Sequence, residues 1–334
     1  MRQPARGRKP VSLAAVMAST IMALGSAPAC ERPPAAVPGP ADATTGEQVP
    51  GAAFSGERAH ERVAALLALP RSLGHPQRAS SIDALDGLLR AAGASSVGRL
   101  EHTGADPWTR TQFAMTTLIA HVRPQAPRQF VLATHFDVRP WAESDPDPTR
   151  REQAIPGAND GTSGVAVLLE LAPLLLDQLP QDVGFSLILF DGEELGRPGD
   201  GPYCAGSRAL AQAIARGEFP EVRAARFGVV LDMVGDADLQ LLQDPRSRRA
   251  AAAIVDEIWS TGQAAGFQQF VAGPGPELLD DHVALTEAGV PSLLLIDYSY
   301  PAWHTHADDL SQISAASLGA VGETLRRALR AHRW

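Results

Sequence analysis

The sequence predicts an α/β fold, a three-layer sandwich in which helices flank a central, mostly parallel, twisted sheet. Three observations carry that expectation. Short apolar runs that read as buried strands alternate along the chain with helical stretches. Acids and imidazoles gather just past those runs, at the carboxyl ends where open parallel sheets hold their working groups. The 334 residues, 45% hydrophobic, are enough for one large domain with a substantial core.

The elements follow in order. Residues 57–69 place Val63, Leu66, Leu67 and Leu69 at helical spacing, and residues 82–92 form a second amphipathic helix. Residues 115–122 alternate loosely as a strand, and residues 129–134 hold Phe130, Val131 and Leu132 in a short buried one. A strongly apolar helix spans 161–177, then a strand 184–190, a helix 205–215 and a strand 227–231. A helix over 247–263, a strand over 292–296 and a closing helix over 315–331 complete the pattern. His135, residues 191–194, Asp232 and the 297–304 loop each fall just beyond a strand.

The N-terminal residues have a different character. Arg2, Arg6, Arg8 and Lys9 precede an apolar run, Val11 to Leu24, and then Gly-Ser-Ala27-Pro-Ala29-Cys30. A basic segment, a short apolar run and small residues before a cleavage point describe an export signal over residues 1–29. The run is too short for an ordinary membrane span. Cys30 after small residues resembles a bacterial lipoprotein box, although Ala27 stands where leucine is usual; Ala27-Pro-Ala29 also fits plain A-x-A cleavage. The expectation is an exported protein of the periplasm or cell envelope, lipid-anchored at Cys30. Residues 30–54, with Pro33, Pro34, Pro38, Pro40 and Pro50, read as a flexible linker to a single catalytic domain over 55–334.

Formal net charge is −9, and removing residues 1–29 with their four basic groups leaves 25 basic against 38 acidic residues, or −13. So acidic a surface argues against nucleic acid or anionic lipid as a partner. With Cys30 lipidated, Cys204 has no internal partner for a disulfide and reads as a packed small residue rather than a nucleophile.

The chemistry-bearing residues are dispersed. Phe190-Asp191-Gly192-Glu193-Glu194 puts two adjacent glutamates after a buried strand. Their side chains diverge, so one ligand and one general base is a natural division; a solvated acidic turn is the plain alternative. Asp160, between Asn159 and Gly161, begins a helix, where capping and ligation are compatible. His304 lies between Trp303 and Thr305, and His282 follows Asp280 and Asp281 at a helix start. His60, His75, His102, His121 and His332 read as structural, and His306 has no evident partner. No local zinc signature such as H-E-x-x-H is present, so spacing alone leaves a dispersed metal site as one option.

Seven blocks in order resemble the zinc aminopeptidase and glutaminyl cyclase superfamily from about Ala59 to the C-terminus. They are Leu132-Ala-Thr-His135-Phe-Asp137, Gly157-Ala-Asn-Asp160, Phe190 to Glu194, Gly206-Ser-Arg208, Leu231-Asp232-Met-Val-Gly235, Asp280-Asp-His282 and Trp303-His304-Thr305. Within that superfamily the sequence looks most like zinc-dependent glutaminyl-peptide cyclotransferases of the animal and bacterial type. That resemblance implies one zinc on Asp160, Glu194 and His304, with Glu193 as general acid/base. It implies that Asp280 and Asp232 complete an acidic hydrogen-bond network around Glu193, and that Trp303, Ile296 and Tyr298 line the substrate pocket. Substrates would be peptides or proteins with N-terminal glutamine, and the protein is expected to be monomeric. The alternative is a two-zinc aminopeptidase, which adds His135 and Asp232 as ligands of a second metal, with Asp160 bridging. A non-catalytic binding module on the same fold is a minor third reading.

Asp280 and Trp303 favour the cyclase, because the peptidases carry serine or threonine in place of the first. Asn159-Asp160-Gly161-Thr-Ser-Gly164 and Glu194-Leu-Gly196 look peptidase-like. Where the animal cyclases carry a tryptophan after the Asp-Gly-Glu-Glu block, this sequence has Gly196-Arg-Pro-Gly-Asp-Gly201.

Overall fold

The computed structural model describes residues 52–199, 201 and 203–334. The expected export signal and most of the expected linker lie outside that range. Helix α1 (Gly56–Leu66) is capped by Ser55, whose side chain accepts from the Arg58 N–H. The packed region begins slightly earlier, because Phe54 is buried and its N–H donates to Glu323 Oε2 at 3.1 Å.

There follow α2 (Arg78–Ala91), β1 (Ser96–Ala105), β2 (Gln112–Val122), β3 (Arg128–His135), α3 (Ser163–Gln178) and β4 (Val183–Phe190). Next come α4 (Ala205–Ala215), α5 (Pro220–Arg223), β5 (Ala225–Asp232), β6 (Leu241–Gln243), α6 (Pro245–Ala264) and β7 (Phe270–Pro274). The last elements are α7 (Asp281–Glu287), β8 (Ser292–Ile296) and α8 (Ala315–Ala331).

Among the described residues one sheet has six strands in the order β1-β2-β4-β3-β5-β8. β4, β3, β5 and β8 are parallel to one another, and β2 is antiparallel to β1 and β4. The fold is therefore α/β with a mixed, mostly parallel sheet. A pleated strand sends alternate side chains to opposite faces, and these strands use both. Phe130 and Leu132, Phe185 and Leu187, Val229 and Leu231, and Leu293 and Leu295 pack in one core with residues of α1, α3, α6 and α8. Val131, Ala133, Ile188, Val230 and Leu294 pack in a second core with Leu210 and Ile214 of α4, Val222 of α5 and Leu285 of α7. That is the three-layer arrangement.

Register places the chemistry. In the parallel pairs His135 stands opposite Phe190, and Asp232 opposite Ile296. β3, β4, β5 and β8 thus end at one level, and the segments after them meet above the sheet's carboxyl edge.

Candidate metal centre

Each site segment leaves the sheet in a constrained conformation. Gly161 has φ +85°, and a Cβ there would lie 2.2 Å from the Asp137 carbonyl oxygen; no other residue lets the Asn159–Gly161 turn come so close to the segment just after β3. Three of the six non-glycine residues with left-handed φ among those described adjoin the site: Cys204 at 58°, Met233 at 45° and His304 at 56°. Backbone strain of this kind persists where surrounding contacts over-determine it.

Asp160, Glu194 and His304 each offer one ligand atom within a group whose members all lie within 4.8 Å of one another. All three are buried, with 2% exposure each. His304 Nε2 lies 3.5 Å from Glu194 Oε2 and 3.7 Å from Asp160 Oδ2. A second group, His135, Asp160 and Asp232, and a third, His135, Glu193 and Glu194, meet the same distance condition. His135 Nε2 is 3.0 Å from Asp232 Oδ1 and 3.3 Å from Asp160 Oδ1. Asp160 belongs to the first two groups, and its buried Oδ2 has no hydrogen-bond partner among the described residues.

Two of the clustered acids are held in opposite directions. Burial, then the Glu194 charge, pushes the Asp160 carboxyl well above its usual range. Burial works against ionised Glu194, but His304 and Arg139 outweigh it and hold that carboxyl well below its usual range. Burial alone would lower His304; Glu194 and Glu143 instead raise it to about 9. A divalent cation would neutralise the same charge and release those protons. The orphaned Asp160 oxygen and the mixed imidazole–carboxylate donor set suit such an ion.

Glu193 faces a different neighbourhood. Its backbone N–H and that of Glu194 donate to the two oxygens of Asp137, at 3.2 and 3.1 Å, which fixes the backbone of both residues. Burial, then the Glu194 charge, raises Glu193 well above its usual range, and Asp280 and Asp281 add to the effect. The expected hydrogen-bond network with Asp280 and Asp232 differs in detail. Among the described residues no direct bond joins either acid to Glu193. Asp280 accepts from the Asp281 N–H as the cap of α7, and Asp232 approaches His135. Of the two, Asp280 acts on Glu193 as nearby charge, and burial, then Asp232, pushes the Asp280 carboxyl itself up to about 7.

The residue whose side group does bond Glu193 is Cys204, whose thiol donates to Oε1 at 3.1 Å. Residue patterns alone assign it no role beyond packing. Burial, then the Glu193 charge, pushes the thiol well up, so it stays protonated. Cys204 should therefore resist iodoacetamide in the native protein and react on unfolding in guanidinium, read by mass spectrometry in a Cys30→Ser background. Native-state alkylation at the rate of a free thiol would contradict that burial.

The residues expected around the substrate are divided. The half-buried Trp303 ring stacks on its neighbour His304, with centroids 3.6 Å apart. Buried Ile296 and exposed Tyr298 instead line a small cavity of about 120 Å³ with Leu242, Asp244 and Leu278. Tyr298 also lies 6.2 Å from Trp303, centroid to centroid.

Supporting residues appear that sequence reading did not single out. Asp308 accepts from the N–H groups of Asn159 and Asp160 at 2.8 and 3.2 Å, and from the Tyr300 hydroxyl at 2.7 Å. Arg71, buried, donates to the Phe136 and Gly161 carbonyls behind the cluster. His306 has a partner after all, since its ring Nδ1 is 2.9 Å from Asp145 Oδ2.

Comparison with known proteins identifies the fold and the family. Residues 117–329 match the model of peptidase family M28. A glutaminyl-peptide cyclotransferase of Gloydius blomhoffii is 27% identical over 241 residues, which cover 63% of this chain and 64% of that protein. The matched part thus spans somewhat less than two thirds of that relative's length. The crystal structure of Porphyromonas gingivalis glutaminyl cyclase superposes with a TM-score of 0.77 at 31% identity, covering 83% of this chain and 99% of that one. That of a leucine aminopeptidase precursor from Bacteroides thetaiotaomicron gives 0.76 at 29%, covering 84% and 99%. Solved relatives of both names thus share the fold. The chain belongs to peptidase family M28.

Proposed function

We propose that the protein is a zinc-dependent glutaminyl-peptide cyclotransferase, converting N-terminal glutamine of peptides to pyroglutamate with release of ammonia. The observation that carries this reading is the placement of two buried acids, Glu193 and Asp280, beside the candidate metal ligands, close enough for the Asp280 charge to act on Glu193. Asp160, Glu194 and His304 would hold the zinc. When bound, zinc supplies Lewis-acid polarisation of the substrate's γ-carbonyl. The substrate's own α-amine attacks the carbonyl carbon of the glutamine side-chain amide. A new carbon–nitrogen bond closes the ring, and the carbon–nitrogen bond of the glutamine amide breaks. With the Glu194 charge offset by the metal, Glu193 would act as the carboxylate that takes the proton from the amine and returns it to the departing ammonia. No water is consumed, so the site must orient the substrate and exclude solvent. Asp280, a second buried acid at the site, adds its charge to the field at Glu193.

One observation favours hydrolysis instead: His135, Asp160 and Asp232 form a second group that could hold a metal. In that reading the protein is a two-metal aminopeptidase and Glu193 activates water. The deciding assay follows ammonia release from a Gln-initiated peptide beside amine release from a Leu-initiated one. Ammonia release with the peptide intact is expected, and Asp280→Asn should cut it by about 10²-fold, the scale of a proton-transfer group. Brisk Leu cleavage with no ammonia would install the aminopeptidase.

A further inference from the structure

Among the charged residues of the loop after β3 are Arg139, Glu143 and Asp145, which the mechanism above leaves unused. Two of them lie against the segment that holds His304. His304 Nδ1 is 2.7 Å from Glu143 Oε1. Asp145 accepts from the His306 N–H at 2.9 Å, and the Ser144 N–H donates to the His304 carbonyl at 3.3 Å. The loop therefore lies along the His304 segment as a strap.

Arg139 fixes the strap from below. Its side chain is fully buried, and it donates to both oxygens of Glu143, Nε to Oε2 at 3.0 Å and Nη2 to Oε1 at 2.5 Å. Its third limb, Nη1, donates to Glu194 Oε2 at 3.0 Å and to the Glu194 carbonyl at 3.1 Å. The guanidinium also lies over the rings of Trp141 and Tyr203, at 5.3 and 5.4 Å, which holds its plane. A closed ring results: Arg139 to Glu143, Glu143 to His304, His304 beside Glu194, and Glu194 back to Arg139.

We infer that Glu143, clamped by Arg139, is the positioning residue that fixes His304 as a metal ligand. The inference rests on the assignment of His304 to the metal. An imidazole has two nitrogens, and which one carries the proton decides which can ligate. A carboxylate against Nδ1 holds the proton there and leaves Nε2 with its lone pair. Nε2 is the nitrogen that faces Asp160 and Glu194. His304 also carries a left-handed φ of 56°, so its backbone does not settle into this pose unaided. Arg139 does two things at once. It holds Glu143 by a bidentate contact, and it offsets the negative charge of both Glu143 and Glu194. Neither Arg139 nor Glu143 hydrogen-bonds Glu193 or Asp280 among the described residues. Their effect belongs to ligand geometry rather than to proton transfer.

The test measures zinc affinity of the full-length protein by competition with a chromophoric chelator near neutral pH. Glu143→Ala should weaken zinc binding about 10- to 100-fold, the range for loss of such a partner. Glu143→Gln, whose amide oxygen still accepts from Nδ1–H, should recover most of that loss. Asp145→Asn touches His306 and not His304, and should stay within about twofold of wild type, well below that range. Nitrogen-15 spectra of the His304 ring in zinc-loaded protein should place the proton on Nδ1 alone in the wild type and on either nitrogen in Glu143→Ala. A purely structural role would not produce that change. If Glu143→Ala does not fold, Arg139→Lys serves, because a single ammonium cannot span Glu143 and Glu194, and weaker zinc binding is again expected. Wild-type zinc binding together with undiminished affinity in the folded variant would overturn the inference alone. A wild type that binds no zinc would overturn the metal assignment, and this inference with it.

Discussion

Glu193→Gln should bind zinc as the wild type does and turn over at least about 10²-fold more slowly, the usual scale for a general acid/base. At about 1.4 kcal/mol per tenfold, that is roughly 2.7 kcal/mol of transition-state stabilisation. The two adjacent glutamates are distinguished by what holds each. Glu194 lies 3.5 Å from His304 and is tied to Arg139, which fixes it as a member of the candidate metal cluster. Glu193 meets the Cys204 thiol, and burial, then the Glu194 charge, raises its carboxyl, with Asp280 and Asp281 adding to the effect. The amide of glutamine keeps an oxygen for the thiol and loses the proton chemistry. Zinc content by mass spectrometry and kcat on a Gln-initiated peptide check this together. Zinc lost with turnover kept would exchange the two roles.

How much of this was legible in the sequence differs by element. Ser292–Ile296 and Ala315–Ala331 carry a continuous apolar run and a strong helical period, and both appear where expected. β1 had no such signal. Ser96–Ala105 holds Gly98, Arg99, Glu101, His102 and Gly104, and it is an edge strand with no buried residue. Only its antiparallel register with β2 makes it a strand, and register is not local information. The site divides the same way. His135, Glu194 and His304 were visible as dispersed acids and imidazoles near strand ends, and the family resemblance supplied their grouping. The residues that support them were not visible. Glu143 reaches a histidine 161 residues away, and Asp308 reaches back 149 residues to Asn159. Cys204 beside Glu193 depends on how α4 starts against the β4 turn, which no pattern of residue types encodes.

Asp160→Ala should abolish zinc binding and reduce turnover on the order of 10³-fold, since the several kcal/mol a metal contributes as Lewis acid convert at about 1.4 kcal/mol per tenfold. Asp160 is the residue shared by the two groups His135–Asp160–Asp232 and Asp160–Glu194–His304. Its loss therefore removes metal under either functional reading, whereas Asp232→Ala touches only the former group. Under the cyclase reading, wild type and Asp232→Ala should each retain one zinc per molecule. Under the aminopeptidase reading, wild type carries two and Asp232→Ala loses one. Stability of the metal-free protein gives an independent sign. Asp160 is a buried acid beside Glu194 and Asp232, with one oxygen unpartnered, and burial of that kind is costly. Its carboxyl is raised, so the strain grows as pH rises and more charge is forced into the cluster. Removing it should raise the thermal midpoint of the chelator-treated protein, by about 2 °C for each kcal/mol relieved in a domain of this size, with a larger gain at higher pH. A lower midpoint in chelator would mean that Asp160 stabilises the fold itself, and the account of a carboxylate held in place for a metal would fail.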